Sequence, residues 1–254
     1  MDLLLDIGNS YTTVGYHNKG NFTIWRLGPS SFESEDMLFV NLFTLSKQSD
    51  INLFETSRIG ISSVVPKNNF IVRQFSLKYL KMTPTFVSSN QKINNIAYLV
   101  DYPKEVGADR VSNIIASKRE YGDNVIAVDF GTAITVDVIE NGNFIGGAII
   151  PGFNTAINSL FSKTAKLPQV EISFLDYNIG KNTIDNIQIG IVKTTLYGLD
   201  RLLNEIKKER KKNFYIVTTG GDAKFLSRKF LNFDKYDPYL TLKGILYYLE
   251  EINV

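Results

Sequence analysis

The chain has no cysteine and a single histidine, His17. Without cysteine there can be no disulfide, thiolate nucleophile or cysteine-based zinc site, and no mark of an oxidising compartment. One histidine leaves almost no material for a His-rich metal centre or a Ser-His-Asp triad, so acid and base chemistry falls to carboxylates. Charge of one sign is lacking too: 28 Lys and Arg against 26 Asp and Glu leave a net charge of +2, too small to argue for nucleic acid. The one dense basic run, Lys207-Lys208-Glu209-Arg210-Lys211-Lys212, closes a stretch in which Leu196, Leu199, Leu203 and Ile206 recur at helical spacing. Cations there suit a helix C-terminus. No apolar run approaches the ~18 residues of a membrane span, and Asp2 and Asp6 interrupt the first apolar run with no basic segment before it. Neither a membrane nor a nucleic acid is expected as a partner, and a cytoplasmic location is the default expectation.

What is present is a repeat. Leu3-Leu4-Leu5-Asp6-Ile7-Gly8-Asn9-Ser10-Tyr11-Thr12 returns as Ile126-Ala127-Val128-Asp129-Phe130-Gly131-Thr132-Ala133-Ile134-Thr135. The aspartates are 123 residues apart, whereas Lys19-Gly20-Asn21-Phe22 answers Asn141-Gly142-Asn143-Phe144 at an offset of 122, so one residue slips between the matches. A repeat this long is not a solenoid unit; it implies a duplicated domain, and 254 residues suffice for two domains with cores of their own.

Apolar and alternating runs predict strands over residues 3–6, 11–17 and 21–27, then a helix opened by Ser34-Glu35-Asp36. A strand over 59–65, a helix over 68–81 and a short strand over 85–87 follow. A helix over 109–121 bridges the halves. The second half repeats the order with strands over 125–129, 134–139 and 143–149, helices over 153–161 and 183–207, a strand over 214–218, and helices over 222–229 and 240–251. Three strands followed by alternating helix and strand is the element order of a ribonuclease-H-like unit. The expected fold is α/β, two tandem ribonuclease-H-like domains over residues 1–110 and 111–254, each a mixed sheet flanked by helices.

A strand that stops at Asp-x-Gly and turns back holds a carboxylate and several backbone N–H groups at a hairpin tip. The amides can meet phosphate oxygens, Gly8 and Gly131 permit close approach, and Asp6 and Asp129 can each hold a cation or its water shell. One such tip alone reads rather as an ordinary strand end in a tight turn; two copies reverse that and favour a binding site. Thr219-Gly220-Gly221-Asp222 follows an apolar run and precedes a helix, either as a loop approached by a flat ligand or as a plain connection capped by Asp222. Gly107-Ala108-Asp109-Arg110 sets an acid beside a base at a helix start, where Asp109 reads as an N-cap or as a functional acid. Gly146-Gly147 and Pro151-Gly152 suggest tight packing or close ligand approach after a strand.

The two Asp-Gly tips with Gly220 and Gly221 resemble the nucleotide site of the actin, Hsp70 and sugar-kinase superfamily. With Gly107-Ala108-Asp109-Arg110 between the tips, Gly146-Gly147, Pro151-Gly152 and the closing segment Pro238-Tyr239-Leu240-Thr241-Leu242-Lys243-Gly244, the chain resembles the type III pantothenate kinase family from residue 2 to about 247. The resemblance implies an actin-like ATPase fold, ATP-dependent phosphorylation of pantothenate to 4'-phosphopantothenate as the first step of coenzyme A biosynthesis, and a homodimer with the substrate site near the subunit interface. It implies that Asp6, Ile7, Gly8, Asn9, Ser10, Tyr11, Thr12 and Thr13 form the first phosphate loop, that Thr132, Gly220 and Gly221 contact ATP, and that Asp109 is the catalytic base. Gly107, Ala108, Asp109 and Arg110 would line the pantothenate site, and Thr183 would reach the substrate of the neighbouring subunit. Asp6 would hold magnesium and Asp129 a monovalent cation, potassium or ammonium. Many members carry a substrate-contacting tyrosine seven residues before the glycine of Gly-x-Asp-Arg, where this chain has Val100. A carboxylate of ordinary pKa suffices for a base that accepts its proton late in phosphoryl transfer. The competing expectations are another small-molecule kinase of the superfamily and a non-catalytic nucleotide-binding regulator.

Overall fold

The computed structural model describes residues 1–91, 93–225 and 231–252. The strands of the first half are β1 (Asp2–Ile7), β2 (Thr12–Asn18), β3 (Asn21–Leu27), β4 (Arg58–Ser63) and β5 (Thr85–Phe86), with helices α1 (Glu35–Gln48), α2 (Pro66–Phe75) and α3 (Ala108–Tyr121). The second half contains β6 (Val125–Phe130), β7 (Ala133–Glu140), β8 (Asn143–Pro151), α4 (Phe153–Lys163), α5 (Thr183–Gln188), α6 (Thr194–Arg210), β9 (Tyr215–Thr219), β10 (Lys235–Tyr236) and α7 (Leu240–Ile252).

These strands build two five-stranded sheets, ordered β3-β2-β1-β4-β5 and β10-β9-β6-β7-β8. Reversed, the second order matches the first strand for strand, so the duplication extends from the motifs to the whole sheet. In the first sheet β1, β2 and β3 form an antiparallel meander, while β4 pairs parallel to β1 and β5 parallel to β4. In the second, β9 pairs parallel to β6 and β10 parallel to β9. Both are mixed sheets flanked by helices, the expected class.

The hairpins show where the repeat slips. Lys19 and Gly20 have φ of 47° and 85°, and Asn141 and Gly142 have 50° and 75°. Two successive positive φ values mark the tight turn whose twist suits a two-residue hairpin, and both copies use it. The tips after the aspartates differ. Gly8 N–H donates to the carbonyl of Tyr11 three residues on, whereas Gly131 N–H donates to Ala133 two residues on, both at 3.1 Å. The extra residue of the first copy therefore sits in its Asp-Gly tip.

The chain groups into two compact units, Met1–Asp123 with Ile139–Gly146 and Tyr239–Val254, and Asn124–Val138 with Gly147–Pro238. In the first unit, one face of the sheet buries Leu3, Leu5, Ile7 and Val14 with Leu38 and Leu42 of α1 and Val72 and Phe75 of α2. Ser34 caps α1, its Oγ accepting from Met37 N–H at 3.1 Å.

The other face is organised in rows set by strand register. At one end lie Arg58, Asp2, His17 and Phe22. Arg58 grips Asp2 through Nε at 2.7 Å and Nη2 at 3.0 Å, and His17 Nδ1 lies 3.2 Å from Asp2 Oδ2. Burial alone would push the Asp2 carboxyl up; the hydrogen bonds from Arg58 and His17 outweigh it and hold the pKa below the usual carboxylate value. The next row but one, Gly60, Leu4 and Gly15, has side chains at only one of three positions. Here α7 is seated. A Cβ on Gly15 would stand 2.9 Å from Leu242, and one on Gly60 would stand 2.5 Å from Ile245 and 2.8 Å from Leu249. Across its other side α7 meets α3: a Cβ on Gly244 would fall 1.9 Å from the carbonyl oxygen of Ser112. Thr241 donates to the buried Asn113 Oδ1 at 2.8 Å, and Lys243 pairs with Glu120 at 3.1 Å.

Two expected helices are interrupted. Residues Ser76–Leu80 continue α2 as a π-helical turn, stopped at Lys81 by a φ of 55°. The helix expected over 183–207 is α5, a π-helical turn Ile189–Lys193, and α6. Of the helix expected over 222–229, Asp222–Phe225 forms a single 3-10 turn and the rest lies outside the described residues. No helix among the described residues is long and apolar enough to cross a membrane.

Gly244→Ala should lower stability by about 1–3 kcal/mol, because backbone sits where the methyl would go. Gly28→Ala, with nothing within 4 Å of the added carbon, should stay within about 0.5 kcal/mol of the parent. Denaturant melts of the two variants check this; equal stability would show that α7 shifts freely on α3.

Candidate functional site

The last row of the same sheet face is polar. Register sets Asp6 opposite Ser62 on β4 and opposite Thr13 on β2. Ser62 Oγ is fully buried with its residue and donates to Asp6 Oδ1 at 3.1 Å, which fixes the carboxylate at the end of β1. The tip residues Asn9, Ser10 and Tyr11 are exposed, with Gly8 half-buried. Thr12 and Ile7 belong elsewhere. Alternation along the strands turns both side chains to the opposite face, where Ile7 is fully buried and Thr12 is 2 % exposed. At Ile7 the site can use only backbone, and its carbonyl already accepts from Val64 N–H at 3.1 Å.

Val64 leads to the second group. It follows β4 and lies 3.7 Å from where a Cβ on Gly107 would stand. The first Asp-Gly tip and Gly107-Ala108-Asp109-Arg110 thus meet at one end of β1 and β4, within the first unit. Gly107 itself is the N-cap of α3 and makes no side-chain cap, so Asp109 is a residue of the first turn rather than the cap. Its Oδ1 accepts from Arg110 N–H at 2.7 Å and sits 2.6 Å from the place of a Gly107 Cβ. A side chain at position 107 would push the carboxylate from this place. Burial pushes the Asp109 pKa above the usual value, against the Arg110 N–H and the Arg110 charge, which lower it. An ordinary pKa would suffice for a base that takes its proton late, and burial here raises it. The Arg110 guanidinium stands 5.5 Å from the centroid of the Phe144 ring, which meets the Tyr98 ring edge to face with centroids 5.8 Å apart. Val100 Cγ1 lies 3.9 Å from the place of a Gly146 Cβ.

The second unit gathers its own set. Asp129 pairs in register with Thr219 on β9, and the next residue, Gly220, has φ of 94°. A Cβ on Gly220 would stand 2.4 Å from the carbonyl oxygen of Phe130 and 2.6 Å from Asp129 Oδ1. A carboxylate and a carbonyl oxygen are hard donors of the kind that suit a hard cation. Gly221 is exposed, with nothing within 4 Å of an added carbon. Thr132 is exposed at the tip, and its carbonyl accepts from Gly152 N–H at 3.1 Å and Thr155 Oγ1 at 2.6 Å. Gly152 and Gly147 are packing glycines: added carbons would fall 2.2 Å from the Gly131 oxygen and 1.7 Å from the Val136 oxygen. Backbone, rather than ligand, makes the close approach at both.

Thr183 is exposed as the first residue of α5, and the N-cap is its neighbour Asn182, whose Oδ1 accepts from Asp185 N–H at 2.9 Å. The preceding loop is tied down by residues that carried no sequence signal. Lys193, buried at the end of the π-helical turn, donates to the Tyr177 carbonyl at 2.6 Å and Asn178 Oδ1 at 2.7 Å. Tyr177 in turn donates to Asp185 at 2.9 Å. Ser62 and Thr155 were equally silent, and Phe144 stood out only as the counterpart of Phe22 in the repeat. Each acts through a partner distant in sequence.

A model of the family described as type III pantothenate kinase matches residues 2–205. A type III pantothenate kinase of Petrotoga mobilis is 65 % identical over 253 residues, covering 100 % of this chain and 99 % of that protein. Among solved structures, a Campylobacter jejuni protein described as a Baf family transcriptional activator matches with a TM-score of 0.57 at 22 % identity, over 99 % of this chain and 100 % of that one. An activator of the 2-hydroxyisocaproyl-CoA dehydratase of Clostridium difficile, solved with ADPNP, matches with a TM-score of 0.53 at 10 % identity over 100 % and 97 %. At these identities the two structures speak for the fold alone.

Gly220→Ala should cost about 2–4 kcal/mol, since it meets a positive φ and two fixed oxygens together, while Gly221→Ala should be nearly neutral. Thermal melts of both check this, and indistinguishable melts would mean that the loop beside Asp129 is not held as described.

Proposed function

The chain belongs to the type III pantothenate kinase family, and from that premise we propose that it transfers the terminal phosphoryl group of ATP to the primary hydroxyl of pantothenate, making 4'-phosphopantothenate for coenzyme A. The observation that carries the reading is the meeting of Asp6, held by Ser62, with the Asp109 turn through Val64 and Gly107. A phosphate-binding tip and an acid-base pair at one strand end are what an alcohol kinase needs.

Pantothenate offers a primary hydroxyl as nucleophile and a carboxylate as anchor. Asp109 accepts the hydroxyl proton, and Arg110, with its charge over the Phe144 ring, clamps the carboxylate. Ala108 and Gly107 line the same pocket. Burial makes Asp109 a stronger base once ionised, at the expense of the acid side of the pH range. The backbone and hydroxyls of Gly8, Asn9, Ser10 and Thr13 hold the β and γ phosphates, and Thr132, Gly220 and Gly221 hold further parts of ATP. Each of the two compact units carries one Asp-Gly tip, Asp6–Gly8 in the first and Asp129–Gly131 in the second.

Two cations complete the reading. Magnesium would be held by Asp6, whose single carboxylate suits a hard ion that takes its other ligands from phosphates and water. Potassium or ammonium would be held by Asp129 with the Phe130 carbonyl beside it. Both supply positive charge against the anionic phosphates. A homodimer with Thr183 near the neighbouring subunit's substrate is supported by the apolar side chains around it: Ile179 is 81 % and Ile184 50 % exposed.

Asp109→Asn should reduce kcat by about a hundredfold or more and leave nucleotide binding nearly intact. The base works as the carboxylate, so the activity of the parent falls as pH drops through a pKa raised above 3.8. That acid limb should vanish in the variant, and full activity in Asp109→Asn would remove the residue from the role. In a coupled ADP-release assay, turnover should require pantothenate and run faster in potassium than in sodium. Equal rates in the two salts would contradict the monovalent site, and a monomer by light scattering would contradict the dimer.

A further inference from the structure

The first phosphate loop, residues 6–13, contains no lysine or arginine. Phosphate binding by this tip therefore relies on amides and hydroxyls unless a cation reaches it from another strand. One does. Register places Asp6 opposite Thr13 on β2, and Thr13 opposite Arg26 on β3, so the three side chains form one row on one face. Neighbouring strands are about 4.8 Å apart, which puts the start of the Arg26 side chain roughly 10 Å from Asp6, within reach of a bound polyphosphate.

Arg26 is directed toward the tip by an aromatic platform. Its Cζ stands 3.8 Å from the centroid of the Tyr11 ring, and Tyr11 is 51 % exposed. A guanidinium resting on a ring engages it through its flat face, while its five N–H donors point outward in its own plane. Arg26 is exposed and has no hydrogen-bond or ion-pair partner among the described residues, so those donors are available to a ligand. A planar fork of donors beside backbone amides fits the paired oxygens of a phosphate.

We propose that Arg26 is a phosphate-contacting residue of the first tip, held by Tyr11 against the terminal phosphates of the bound nucleoside triphosphate. The proposal rests on residues 6–13 being a phosphate loop. Arg26 places a permanent charge where negative charge accumulates on the transferring group, and Tyr11 limits the positions from which the arginine must be recruited.

Steady-state kinetics at varied ATP and at varied pantothenate, on the purified full chain, test it with Arg26→Ala, Arg26→Lys, Tyr11→Ala and Asp6→Asn. Arg26→Ala should lower kcat/KM for ATP by about ten- to a hundredfold and change KM for pantothenate less than about twofold. Arg26→Lys should retain part of the activity, and Tyr11→Ala, which removes the platform and keeps the charge, should lose less than Arg26→Ala. Melting temperatures should stay close to the parent for the Arg26 variants, because the side chain is exposed. Parent-like kcat/KM for ATP in Arg26→Ala, or an equal loss for both substrates, overturns the proposal. If Asp6→Asn is impaired while Arg26→Ala is not, Arg26 fails and the phosphate loop stands; if neither is impaired, both fail.

Discussion

The arrangement depends on the absence of side chains at Gly15 and Gly60. Both stand opposite Leu4 in the first sheet, and together they let α7 lie on the strands with Leu242, Ile245 and Leu249 occupying the space that Cβ atoms would fill. α7 then touches α3 backbone to backbone at Gly244 and Ser112. The start of α3 carries Asp109, so the position of the proposed base follows from three glycines, of which only Gly244 lies in a segment that carried the family resemblance. The same seat leaves the row Ser62, Asp6, Thr13 and Arg26 beyond it at the strand ends.

Asp109 illustrates a compromise that such packing imposes. Burial raises its pKa, and a neighbouring N–H and charge from Arg110 only partly offset the desolvation. A base of this kind is less ionised in acid but more willing to take a proton at neutral pH. Gly107 leaves space for the carboxylate in that crowded place, and the Arg110 N–H holds it there. Geometry and proton affinity are thus set by one short turn.

Much of this was legible in the sequence, because the signals were local. Turn residues at Lys19-Gly20 and Asn141-Gly142, the Asp-x-Gly strand ends and the Ser34 cap act on their own neighbours, and the repeated offset joined them into two similar sheets. The one-residue slip was visible as arithmetic, and the structure assigns it to the Gly8–Tyr11 tip. Illegible were the features that depend on partners far along the chain. The inward turn of Thr12, the seating of α7, the Lys193 clamp and the packing duty of Gly147 and Gly152 all arise from register or tertiary contact. The π-helical turns after α2 and α5 were hidden as well, since an apolar period near 3.6 does not reveal one extra residue in a turn. The two copies have also diverged in charge. At the repeat offset of 122, Arg26 corresponds to Ala148, so the cation on the third strand belongs to the first copy alone.

The seat of α7 also sets an order of events during synthesis. A ribosome delivers β1, β2 and β4 early, and the helix that covers one face of them last. Any nascent chain that stops before Tyr239 carries Leu4, Gly15 and Gly60 on an uncovered face, and α3 without its backbone contact at Gly244. The first unit to emerge is therefore the last to be completed, and until then the turn bearing Asp109 lacks the helix that braces it.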